Sequence, residues 1–172
     1  MTNQHIFLIG PMGVGKTTIG KRLADLLERP FIDIDKVIEA RSGADIPWIF
    51  DKEGEQGFRD RESRVFEDIV LSNNQSIIAT GGGLVLRPTN RKMLCDHGQC
   101  VYLCASKEQL YERTLRDKSR PLLQVENRQQ VISDLLEQRD PLYREVANIV
   151  FPAEGGQVNK VAKRLLDALS EL

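Results

Sequence analysis

The run Gly10-Pro-Met-Gly-Val-Gly15-Lys16-Thr17 matches the pattern G-x-x-x-x-G-K-[ST] without a mismatch, and it constrains the chain more than any other feature. Such a loop works only between a buried strand and a helix. Its glycines let consecutive backbone N–H groups turn toward one anion, and the helix beyond adds unpaired first-turn donors and a dipole. The flanks have that form. HIFLI (His5 to Ile9) is a short apolar run ending at Gly10, and Ile19, Leu23, Leu26 and Leu27 recur at helical spacing from Lys16 onward. In such a loop Lys16 reaches the β- and γ-phosphates of a nucleotide and the Thr17 hydroxyl binds magnesium. The alternative is a glycine-rich turn without a ligand. That pattern arises by chance, but rarely at the first strand of a chain with strand and helix both in place.

The rest of the chain alternates in the same way. Phe31 to Asp35 places Ile32 and Ile34 on one side and Asp33 and Asp35 on the other, which predicts a second strand. A helical stretch follows, with a break expected near Ser42-Gly43, and another is expected from about Phe58 to Leu71 on the stripe Phe58, Val65, Phe66 and Ile69. SIIAT (Ser76 to Thr80) reads as a buried strand stopped by Gly81 to Gly83, Pro88 as a helix start, and CVYLCA (Cys100 to Ala105) as a further strand. Lys107 to Arg116 is expected to be helical, and the polar Asp117 to Asn127, with Pro121 inside it, to be a loop. Helical spacing returns at Ile132, Leu135, Leu136 and Tyr143, where Pro141 should kink or split the helix. A short strand near Ile149 to Phe151 precedes a helix carrying Val158, Val161, Leu165 and Leu169. Short apolar strands alternating with helices predict an α/β fold, with a parallel sheet covered on both faces. At 172 residues, 41% hydrophobic and 28% charged, the chain suits one domain, and no repeat or linker suggests a second.

A formal net charge of −1 offers no global field to nucleic acid or a membrane surface, so anion binding must come from local groups. No apolar run approaches membrane-spanning length and the first residues lack a signal-peptide pattern, which makes the cytoplasm the expected compartment. Cys95, Cys100 and Cys104 lack CxxC spacing, and buried thiols at Cys100 and Cys104 are expected rather than a metal or disulfide. His5 and His97 carry no ligand pattern.

Four charged residues stand out. Asp33 and Asp35 end the second predicted strand on one face, where the carboxyl ends of a doubly wound sheet open into a ligand crevice. Two carboxylates there could serve a magnesium shell and a hydroxyl nucleophile; equally they could be solvated acids, with Asp35 capping the next helix. Arg139 lies a turn after Leu135 and Leu136 and a turn before Tyr143, on the core-facing stripe, so it must meet an acid or a bound anion. Arg59 lies one turn from Glu62 and reads either as a helical ion pair, worth roughly a few tenths of a kcal/mol, or as part of a site.

Six blocks in order complete the pattern: GPMGVGKTT (Gly10 to Thr18), FIDID (Phe31 to Asp35), GFRDRE (Gly57 to Glu62), ATGGG (Ala79 to Gly83), SRPLL (Ser119 to Leu123) and RDPLYREVA (Arg139 to Ala147). With them the chain resembles the shikimate kinase family over nearly its whole length. The resemblance implies a three-layer α-β-α sandwich with a five-stranded parallel sheet, like nucleoside monophosphate kinases. It implies a single domain over residues 1–172, with a substrate-binding helical region at 35–62 and a lid at 112–125. It further implies transfer from ATP, with Mg2+, to the 3-hydroxyl of shikimate, giving 3-phosphoshikimate and ADP in aromatic amino acid biosynthesis. By the same resemblance Gly13, Val14, Gly15, Lys16, Thr17 and Thr18 bind ATP, and Asp33 joins Thr17 near the metal. Asp35, Arg59, Gly82 and Arg139 bind shikimate, and Lys16, Asp35 and Arg120 are catalytic, Arg120 from the lid. Arg113 and Gln157 fall on the adenine side, although the loop Pro152 to Gly156 departs from the family pattern by one extra residue. Arg116 and Lys118 read as solvated charges, and Trp48 and Phe50 as packing residues or an aromatic wall for the ring. A monomer is expected. The competing readings are a gluconate or nucleoside monophosphate kinase, and a nucleotide-dependent switch without turnover.

Overall fold

The chain, described here from a computed structural model at residues 4–115, 117–154 and 156–172, forms five strands and seven α-helices. Strands β1 (His5–Ile9), β2 (Phe31–Asp33), β3 (Ile77–Ala79), β4 (Gly98–Cys104) and β5 (Ile149–Pro152) are all parallel, in the order β2-β3-β1-β4-β5. Helices α1 (Lys16–Leu27), α5 (Lys107–Thr114) and α7 (Val158–Ser170) pack on one face against Leu8, Val101 and Leu103. On the other face Phe7, Ile9, Ile78 and Tyr102 meet α2 (Ile34–Ser42), α3 (Ile46–Ser72), α4 (Pro88–His97) and the last turns of α6 (Arg128–Val146). Covering both faces explains why the central strands are unbroken apolar runs, each fully buried Ile, Leu or Phe contributing about 1.5–3 kcal/mol. Because β1 is flanked by β3 and β4, the chain order reverses beside it, and its carboxyl end is where ligands settle in such sheets. Among the described residues, no helix is long and apolar enough to cross a membrane. The three thiols are free; Cys100 is buried, Cys104 half-buried and Cys95 exposed.

Three local expectations are corrected. Strand β2 stops at Asp33, and Asp35 lies in the first turn of α2 rather than at a strand end. The cap is Asp33, whose Oδ1 accepts from the Lys36 N–H at 3.3 Å, and Asp35 then sits at the positive end of the helix dipole. Helix α3 begins at Ile46, capped by Asp45, well before Phe58. It bends at Gly54, whose φ of 71° and ψ of 178° interrupt the helix and leave Phe50 and Phe58 in ring contact at 4.9 Å across the bend. Of the kink or split expected at Pro141, the split does not occur, and α6 runs unbroken from Arg128 to Val146. Pro141 and Glu137, whose carbonyl loses its partner, both lie on the exposed face of α6, where that carbonyl is open to solvent.

Candidate active site

The loop after β1 is built for an anion. Gly13 and Gly15 hold φ of 80° and 105°, open to glycine without cost, and no side chain caps α1, so its first-turn N–H groups face outward. Lys16 lies beneath them, its Nζ donating to the carbonyls of Gly10 at 2.7 Å and Pro11 at 2.8 Å. Burial, with Arg120 nearby adding to it, pushes the Lys16 ammonium down to about 7. The Thr17 hydroxyl donates to Asp33 Oδ2 at 2.8 Å. Lys16, Thr17, Thr18 and Asp33 line an open cleft whose empty space, its mouth into solvent included, is about 740 Å³.

A second cavity, with about 390 Å³ of empty space counting its mouth into solvent, opens beside it and shares Asp35, Gly82 and Arg120 with the first. Its walls are Arg59 and Glu62 from α3, Arg139 from α6, and the rings of Phe50 and Phe58. Arg139 is 3% exposed and has no carboxylate partner among the described residues; its Nε is unpaired. Arg59 differs. Its Nη1 bonds Glu62 Oε2 at 2.7 Å and its Nη2 reaches Glu55 Oε1 at 3.4 Å, so the helical pair read from the sequence exists, but buried and inside the site. Two buried acceptors of this cavity, Asp35 Oδ1 and Glu62 Oε1, have no partner among the described residues. Burial pushes both carboxyls above their ordinary values, opposed at Asp35 by Arg120, whose Nη1 donates to Oδ2 at 3.1 Å, and at Glu62 by Arg59.

The three glycines after β3 form the floor. A Cβ on Gly81 would stand 2.5 Å from Glu62 Oε1 and 3.1 Å from Asp35 Oδ1. A Cβ on Gly83 would overlap the Arg59 guanidinium, 2.5 Å from its Nη1, whereas one on Gly82 would make ordinary contacts of 3.5 Å with Arg139 Nη1 and the Gly10 carbonyl. Tyr143 fixes this floor from below, its hydroxyl donating to the Gly82 carbonyl at 2.5 Å. Burial pushes that hydroxyl up to about 12, so it remains a donor.

Thus Lys16, Thr17, Asp33, Asp35, Gly82, Arg120, Arg59 and Arg139 come together around two joined cavities. Arg113 stands at the rim of the phosphate cavity, donating to the Val14 carbonyl at 2.9 Å. Gln157 is exposed at the start of α7 and lines neither cavity. Phe50 lines the smaller cavity, while Trp48 is 51% exposed and is not a packing residue. Lys118 is exposed; Arg116, like Gly155, lies outside the described residues. Sequence reasoning missed Glu62 as a site residue, together with Gly83 and Tyr143. Only Glu62 had a signal, its spacing from Arg59.

A nucleotide-phosphate loop joined to a pocket offering cations for an acid and acceptors for hydroxyls defines a P-loop phosphotransferase for small molecules. The family model described as shikimate kinase matches residues 12–170. The chain belongs to the shikimate kinase family. It is 52% identical over 165 residues to the shikimate kinase of Acinetobacter baylyi, covering 96% of this chain and 91% of that one. The solved shikimate kinase from Acinetobacter baumannii, in complex with shikimate, superposes with a TM-score of 0.95 at 48% identity, covering 99% of this chain and 94% of that one. A gluconokinase from Sinorhizobium meliloti, with a TM-score of 0.61 and 17% identity over 98% of this chain and 94% of that one, shares the fold alone.

The floor makes one expectation sharp. Gly83 has φ −100°, which alanine adopts freely, so Gly83→Ala leaves the fold intact but displaces the Arg59 guanidinium. The shikimate KM should rise roughly 10- to 100-fold, with the ATP KM little changed and the melting temperature lowered as the guanidinium is pushed from Glu62. Steady-state kinetics with thermal melts check this; an unchanged shikimate KM means the guanidinium position does not matter.

Proposed function

We propose that the chain transfers the γ-phosphoryl group of ATP to the 3-hydroxyl of shikimate, with the acid held in the smaller cavity and the triphosphate in the larger. The observation that carries this is Arg139, a buried guanidinium with no acid partner among the described residues, beside oxygens of Asp35 and Glu62 that likewise have no described partner. A buried cation of that kind is costly unless an anion meets it. Paired acceptors add a demand for hydroxyls. A hydroxylated carboxylic acid satisfies both.

Arg139 and Arg59 grip the carboxylate by charge-assisted bonds and so orient the ring. Asp35, with its carboxyl raised by burial, aligns the attacking hydroxyl and accepts its proton. The N–H groups of Gly13 to Thr18 and Lys16 hold the phosphates, and Arg120 crosses from the lid at 112–125 to balance their charge and exclude water. Phosphoryl transfer has a loose transition state, so position and charge outweigh base strength. The Thr17 hydroxyl and Asp33 carboxylate, 2.8 Å apart beside Lys16, are the hard oxygen donors that suit Mg2+, which would neutralise phosphate charge there. Arg113 and Gln157 are assigned to the adenine side, and residues 35–62 to acceptor binding. A cytoplasmic monomer without nucleic-acid or membrane partners fits the near-zero net charge of −1.

ATP consumption measured with shikimate, gluconate and nucleoside monophosphates tests the reading. Shikimate alone should stimulate it; turnover of another acceptor but not of shikimate overturns the assignment.

Lys16 adds a pH signature. Its value near 7 leaves it mostly neutral in the free protein above that pH, and bound phosphates restore its proton. Nucleotide binding at pH 8 should therefore take up about one proton, and affinity should fall as pH rises above 7. Calorimetry in buffers of different ionisation enthalpy measures the uptake directly. Identical binding enthalpies in all buffers would show that Lys16 is already charged.

A further inference from the structure

We infer that Arg128, at the start of α6, is a positioning residue that acts through the lid arginine, Arg120; the inference rests on the proposed role of Arg120 in transfer. Arg128 touches neither cavity. Its guanidinium instead joins the two ends of the lid. Nε donates to the Leu123 carbonyl at 3.0 Å, and Nη1 donates to the carbonyl of Thr114, the last residue of α5.

Both ends lead to Arg120. On the far side, the Leu123 N–H bonds the Arg120 carbonyl at 3.0 Å, and Gln124 Nε2 bonds the same carbonyl at 3.3 Å and that of Asp117 at 3.0 Å. On the near side, the Asp117 N–H bonds the Thr114 carbonyl at 3.1 Å, and Asp117 Oδ2 receives Arg120 Nε at 3.3 Å. Leu123, fully buried in the apolar space between α5 and α6, anchors the base. Arg120 projects from this frame onto Asp35.

A planar guanidinium presents donors in two directions at fixed spacing, which a bridge between separate carbonyls requires; an ammonium is a single point and holds one well. Without the bridge the two ends of the loop are free to separate, and Arg120 spends less time over the reacting groups. The acceptor floor, made by Gly81 to Gly83, Arg59 and Arg139, is untouched by that change. Arg128 therefore acts mainly on turnover, and on shikimate binding only through the wall that Arg120, Pro121 and Leu122 lend to the smaller cavity.

The test is a double-mutant cycle with the full chain. Arg128→Met should lower kcat roughly 10-fold, raise the shikimate KM by clearly less than that factor, and have little further effect when Arg120 is already alanine. Arg128→Lys should fall between Met and the parent, and it carries the test if Arg128→Met does not fold. An unchanged kcat in the single variant, or an undiminished loss in the Arg120→Ala background, overturns the inference. If Arg120→Ala itself keeps full turnover, the lid role of Arg120 fails first, so the two failures are distinct.

Discussion

Asp35→Asn is expected to slow phosphoryl transfer by about 10²-fold or more while the ATP dissociation constant stays within about threefold. Asparagine keeps the shape of the side chain but cannot accept the hydroxyl proton. In the proposed arrangement the nucleotide is held by main-chain N–H groups, Lys16 and Thr17, none of them hydrogen-bonded to that carboxyl, which acts on Lys16 only through charge. The same exchange should leave the melting temperature unchanged or higher. Burial already pushes the Asp35 carboxyl up and its Oδ1 has no described partner, so a neutral amide removes a cost of the folded state. Rapid-quench transfer, nucleotide titration and thermal melts read the three outcomes separately. Parallel loss of transfer, ATP affinity and stability would make Asp35 a structural residue and return the nucleotide-switch reading to contention.

The second large effect separates the two arginines of the acceptor pocket. Arg139→Met should raise the shikimate KM by roughly 30-fold or more, the equivalent of about 2–5 kcal/mol for a desolvated charge pair. No described carboxylate pairs with Arg139, so the fold should lose little. Arg59→Met should raise the same KM, and it also strands Glu62, which is 0% exposed and 2.7 Å from Arg59. Removing one partner of a buried pair costs about 3–5 kcal/mol, so Arg59→Met should melt well below Arg139→Met. Denaturant titration of both variants checks the order. Equal melting with unchanged shikimate KM in both would dispose of the carboxylate grip.

Legibility in the sequence followed the range of each interaction. The phosphate loop is contiguous and its conformation is set by its own glycines, so residues 10–18 could be read directly. Arg139 was visible because a charge on an apolar helical stripe has few explanations. Asp35 was placed on the wrong element because five residues of FIDID satisfy strand alternation, while the cap made by Asp33 depends on a bond to the Lys36 N–H. The first half of α3 was missed because Asp51 to Gln56 are exposed and carry no apolar stripe. Gly83 was visible only as the end of a glycine run, without a role of its own, and Arg128 left no pattern at all. Gly83 matters through a guanidinium brought over it from α3, and Arg128 through carbonyls that any residues would supply.

The wall common to the two cavities has a consequence for ligands. Asp35, Gly82 and Arg120 border both chambers, so acceptor and donor ends lie on either side of one thin wall that the Arg120–Asp35 pair closes. One compound with an acidic ring at one end and a short polyphosphate at the other could fill both at once. Its second half would dock intramolecularly, at an effective local concentration in the millimolar range when the linker matches the span. Tight inhibition should then be sensitive to tether length and lost when the tether is too short to reach across Gly82.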